Sequence, residues 1–144
     1  MTVCGEKRIE ELGVILPHEH IFIDISHQFT EPSSPFEKKL AYQKISLSNL
    51  GYLRRDPYVV KDNLILSEYG MARTEVLAFK EQGGQTIIDV TPVGIGREPA
   101  RLNQLMVKTG VNVIAGCGYY THDTHPGDMN LFKSHAPCLR RMGI

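Results

Sequence analysis

The chain has 144 residues, with sixteen Lys and Arg balanced by sixteen Asp and Glu, 42% hydrophobic residues and 22% charged. That is enough apolar material for one domain of average size, and the zero net charge argues against the electrostatic footprint of a nucleic-acid or anionic-membrane binder. Residues 1–11 are polar where a secretory signal is apolar, and no run reaches the ~18 apolar residues of a membrane span, so a cytoplasmic protein is expected.

Residues 13–16 read as a first strand, and Ile21-Phe22-Ile23 continues the apolar run. Proline has no amide hydrogen for a sheet ladder, so Pro17 is expected to end the pairing and leave His18 and His20 at the strand's exit. On an extended backbone residues i and i+2 point the same way, roughly 6.6 Å apart, which lets both imidazoles approach one metal ion at about 2.0–2.1 Å. The plainer alternative is a solvated turn. From about residue 26 to 63, Pro32, Pro35 and Pro57 interrupt a polar stretch. That reads as a long excursion, either a lid over a site or a partner surface, with helical patches at about 36–44 and 47–54.

The chain then becomes regular. Tyr69, Ala72, Val76, Phe79 and Lys80 follow helical spacing, Gly83-Gly84 supplies a left-handed stop, and residues 86–90 read as a buried strand. Pro99 suits a first helical position, Leu102, Leu105 and Met106 continue for about three turns, and Gly110 terminates them. Residues 111–115 form the next strand, followed by Gly116-Cys117-Gly118-Tyr119-Tyr120. Strand, helix, strand at this spacing implies parallel pairing. Parallel strands end at a common edge, which brings together His18, His20, the loop at 89–97 and the loop at 119–125. Three cysteines, Cys4, Cys117 and Cys138, are too few and too irregular for a disulfide framework.

Three stretches in order resemble the opening third of the phosphotriesterase family, part of the amidohydrolase superfamily. They are the run from Gly13 through Pro17-His18-Glu19-His20, the run Thr86-Ile87-Ile88-Asp89-Val90-Thr91-Pro92 with Gly94-Ile95-Gly96-Arg97, and the run from Gly110 to Tyr120. The resemblance implies an α/β fold, the N-terminal portion of a TIM-type β/α barrel with about three strands. It implies a divalent metal, zinc above all, with two ions in a complete member and His18 and His20 holding one of them. It implies hydrolysis of a small-molecule phosphotriester, ester or lactone by a water held between the ions. Tyr120, and Tyr119 beside it, match the family's pocket-lining aromatic position and are expected to touch substrate; packing under a loop is the alternative. Arg97 matches an arginine for which a structural ion pair is expected.

The departures are equally specific. The family's remaining ligands, a carboxylated lysine or glutamate, two further histidines and an aspartate, have no counterpart in this chain, and such a barrel takes about 250 residues. Residues 1–128 therefore read as a catalytically incomplete barrel portion with an insertion at about 25–65. Residues 129–144 read as a divergent tail, the product of a frameshift, truncation or alternative ending. An open sheet edge predicts self-association as a homo-oligomer. Two rivals come from other classes: a small structural zinc site from His122, His125, His135 and Cys138 in an otherwise non-catalytic α/β fragment, and dinucleotide binding at Gly94-Ile95-Gly96, which lacks a third glycine.

Overall fold

In a computed structural model, which describes residues 1–127, the first strand passes through Pro17 instead of stopping at it. The strands are β1 (Ile15–Glu19), β2 (Ile23–Asp24), β3 (Ile65–Leu66), β4 (Thr86–Asp89) and β5 (Asn112–Ala115), interspersed with helices α1 (Pro35–Ala41), α2 (Leu50–Leu53), α3 (Tyr69–Glu81) and α4 (Pro99–Thr109). Strands β1, β4 and β5 form one parallel sheet in the order β1-β4-β5, as the strand–helix–strand spacing predicts. Ile15 pairs with Thr86 and Leu16 with Ile87, but Asp89 pairs with Glu19. Pro17 and His18 therefore stand opposite Ile88 alone, which is a β-bulge. A bulge is one of the few places in a strand where a missing amide hydrogen costs no ladder bond, so the pairing survives the proline.

The apolar run after the histidines does not continue the strand either. Phe22 is 2% exposed, its ring stacks on Tyr69 with centroids 6.3 Å apart, and the Arg101 guanidinium lies 4.0 Å over it. Helices α3 and α4 pack on the sheet through buried residues of matching spacing. Val76, Ile87, Leu105 and Val111 form one cluster; Val3, Phe22, Ala72, Leu102, Val113 and Ala115 form another. Gly110 ends α4 at φ 73°, a left-handed conformation in which glycine carries no side-chain penalty. At the N-terminal end of the sheet, Thr86 Oγ1 donates to Leu12 O at 2.5 Å, and Asn112 Nδ2 donates to Glu11 O at 3.1 Å and to Thr86 Oγ1 at 3.2 Å. On the strands themselves Ile87 is buried, whereas Ile88, Val90 and Ile114 are only half-buried, and Val14, Ile15 and Leu16 are exposed.

Ile23–Ser67 forms a separate compact unit. Strands β2 and β3 pair antiparallel over two residues each, a contact that no periodic pattern in the sequence announced. Ser34 caps α1 by accepting from Glu37 N at 3.2 Å, with Pro35 in the first turn. Leu40, Leu53 and Val60 make a small core. Both helices are shorter than the expected patches. Asn49, 1% exposed, is the physical reason: its side chain donates to Lys44 O at 2.9 Å and accepts from Ser46 N at 2.9 Å, fixing a turn between them. Cys4 carries a free thiol. Among the described residues no helix is long and apolar enough to cross a membrane. The expected divergent tail, residues 129–144, lies outside the described residues.

Candidate metal centre

Parallel pairing brings the exits of β1, β4 and β5 to one edge, and main-chain bonds continue past the strands there. Val90 N donates to Glu19 O at 2.9 Å and Gly116 N to Asp89 O at 2.7 Å. The side chain of Asp89 is 1% exposed and both its oxygens are engaged: Oδ2 accepts from Ile21 N and Oδ1 from Thr91 N, each at 2.9 Å. One buried carboxylate thus ties the turn after β1 to the turn after β4 through charge-assisted bonds.

His18 and His20 sit at this edge with ring centroids 5.7 Å apart in an edge-on arrangement. Two imidazoles sharing one tetrahedral ion at about 2.0–2.1 Å have ring centres roughly 5 Å apart, so the pair fits two of an ion's ligands after a small side-chain rotation. His18 is exposed; His20 is half-buried, and its Nδ1 lies 2.9 Å from the hydroxyl of Thr91, itself 1% exposed. A ligating histidine commonly has its second nitrogen held in this way. Among the described residues no set of three or more His, Cys, Asp and Glu side chains converges on a point that could hold a metal ion. The donor set these residues offer is the two imidazoles.

The exit of β5 carries the expected aromatic pair. Tyr119 is half-buried with its ring 5.6 Å from that of His125, edge-on, while Tyr120 is 49% exposed and its carbonyl accepts from His125 Nε2 at 3.2 Å. His122 and His125 also form a pair, centroids 5.8 Å apart. His135 and Cys138, the other half of the rival structural zinc site, lie outside the described residues. Arg97 donates from Nη1 to Gly116 O at 3.0 Å, bracing the loop after β4 against the end of β5. The rival dinucleotide loop has its amides turned inward: Ile95 and Arg97 donate to Pro92 O at 3.2 and 3.3 Å. Gly94 serves close packing, since a Cβ there would lie 2.1 Å from Thr124 O.

The sequence profile of the phosphotriesterase family matches residues 1–137. The chain belongs to the phosphotriesterase family. Among its relatives, an N-acetyltaurine hydrolase of Danio rerio is 36% identical over 125 residues, which is 86% of this chain and 36% of that protein. A resiniferatoxin-binding protein from Rhodobacter sphaeroides is similar in structure with a TM-score of 0.84 at 39% identity, over 88% of this chain and 36% of the other. A lactonase from Listeria monocytogenes gives a TM-score of 0.52 at 26% identity, over 79% of this chain and 26% of the other. The chain spans 35–37% of the length of curated relatives it matches. Its parallel sheet is accordingly like the N-terminal part of a TIM-type barrel, incomplete in this stretch.

Within this phosphotriesterase-family frame, the edge contains two residues whose parts the sequence does not announce. Asp89 reads there as a position near the end of the strand over 86–90, and Thr91 as part of the loop that follows. A charged residue closing a run of Thr86-Ile87-Ile88 was the available signal, because an aspartate in a buried strand needs partners.

Proposed function

We propose that His18 and His20 are two ligands of a divalent ion, zinc by preference, in the opening portion of a hydrolase that acts on small-molecule esters or lactones. The observation that carries this reading is the imidazole pair, 5.7 Å apart at the shared strand exit, with the His20 ring held by a buried hydroxyl. When bound, such an ion supplies Lewis acidity and an acidified water. The chain's own residues do the positioning: Asp89 fixes the backbone beyond His20, and Thr91 its ring. Tyr119 and Tyr120, at the neighbouring exit, are proposed to line the pocket, with Tyr120 the more accessible to substrate. The name of the Danio rerio relative supports a second reading, in which the bond cleaved is an amide.

Two imidazoles leave most coordination positions to water, so the 144-residue chain holds zinc weakly, at micromolar affinity or poorer as an order of magnitude for so few ligands. It is catalytically incomplete for the same reason, because positioning between several ligands supplies much of the rate. We take residues 1–128 as the barrel portion with an insertion at about 25–65, acting in the cytoplasm, with the open sheet edge favouring self-association. Calorimetric zinc titration tests the reading: binding is expected to vanish when His18→Ala and His20→Ala are combined. The isolated chain should hydrolyse paraoxon-like triesters and γ- or δ-lactones no faster than free zinc, and adding the C-terminal two-thirds of a family member should restore turnover. Tight zinc binding that survives the double substitution would sink the assignment.

A further inference from the structure

His20 is gripped at two points, and both lead to the exit of β4. Its ring meets Thr91 Oγ1 at Nδ1, and the peptide that follows it, Ile21 N, donates to Asp89 Oδ2. Thr91 is in turn held by its own amide on Asp89 Oδ1. His18 has no comparable support: among the described residues its ring makes no hydrogen bond.

We infer that Thr91 is a positioning residue for the metal site, its hydroxyl holding His20 through Nδ1 and so committing Nε2 to the ion. The inference rests on reading His18 and His20 as ligands. In a neutral imidazole one nitrogen carries the proton and the other the lone pair, so ligation through Nε2 requires Nδ1 to be the protonated nitrogen. A hydroxyl oxygen fixed in place can accept that proton's hydrogen bond. Thr91 is suited to this because it is 1% exposed, which keeps water from competing, and because the Asp89 bond fixes its backbone. Asp89 thereby sets both the direction of the chain after His20 and the orientation of its ring. Valine would fill the same volume as threonine, so a residue needed only for packing would tolerate the exchange, whereas a residue needed for its hydroxyl would not.

The test compares the full chain with Thr91→Val and Thr91→Ser by two measurements. Nitrogen-15-resolved imidazole spectra of the metal-free protein, recorded on the alkaline plateau of the titration, report which nitrogen of His20 carries the proton. Zinc calorimetry reports affinity. The native chain is expected to hold His20 with the proton on Nδ1. Thr91→Val should mix the two tautomers and weaken zinc binding about 10- to 100-fold, the usual effect of losing an outer-shell partner, and Thr91→Ser should restore both. A proton on Nε2 in the native chain overturns the inference without any variant, as does an unchanged tautomer in a folded Thr91→Val. If zinc binding in the native chain is absent or indifferent to His18→Ala, the ligand reading fails, while the tautomer still decides what Thr91 does to His20.

Discussion

Two histidine pairs stand at the same end of the sheet with nearly equal spacing, 5.7 Å for His18 and His20 and 5.8 Å for His122 and His125. What surrounds them differs. The first pair rises from paired strands and leans on a buried threonine and a buried aspartate. The second lies on a loop, and His125 spends its Nε2 on the Tyr120 carbonyl and its ring on Tyr119. Spacing alone does not separate the two pairs; the buried hydroxyl and buried carboxylate beneath the first do.

The widest separation between the two pairs should appear in zinc affinity. Combining His18→Ala and His20→Ala is expected to abolish binding, whereas His122→Ala with His125→Ala should leave it within about twofold, since that pair stands on a short loop turn and not at the end of a paired strand; calorimetry that reverses the two results would transfer the site to the loop. Next comes the aspartate beneath the first pair. Asp89→Ala leaves the buried amide of Thr91 and the part-buried amide of Ile21 without acceptors, so urea unfolding should show a loss of at least about 1–3 kcal/mol, together with weaker zinc binding. Smaller again is Gly94→Ala, whose methyl would meet Thr124 O at 2.1 Å. Overpacking of this kind costs about 1–3 kcal/mol, and the loop carrying Tyr119 and Tyr120 should shift in spectra that leave His20 unmoved.

The mildest test contrasts Asp89 with a carboxylate at the surface. Asp62 accepts from Lys44 Nζ and from Ile45 N, and the lysine's hydrogen bond, with the amide second, holds its carboxyl below the usual carboxylate range. A folded-state value depressed in this way stabilises the protein above the ordinary carboxylate pKa and is lost as pH falls through the folded value. The effect should therefore emerge only below about pH 4, and Lys44→Met should move the Asp62 midpoint upward by NMR titration.

The sequence made the parallel sheet legible because its punctuation is local: Gly83-Gly84, Pro99 and Gly110 stop and start helices whatever surrounds them. The histidine pair was legible for the same reason, as two residues at the exit of one short strand. Pro17 misled because the rule that proline ends a ladder holds only where no bulge absorbs it. The two-residue strands Ile23–Asp24 and Ile65–Leu66 were invisible, being too short for an alternating pattern and about forty residues apart. Thr91 was missed because its role depends on a partner 71 positions away, which no spacing rule reaches.

The bulge has a further meaning for how this chain tolerates change in length. Side chains alternate with a parity of two along a strand, and the extra residue at Pro17 and His18 lets the parity before it be set separately from the parity after it. Removing either residue would heal the pairing and fuse the two stretches into one alternation. Either Ile15 and Leu16 or Glu19 and His20 would then have to exchange faces. A deletion of one codon here is thus a choice between inverting the start of the sheet and turning His20 away from Thr91, while most substitutions at Pro17 leave both intact.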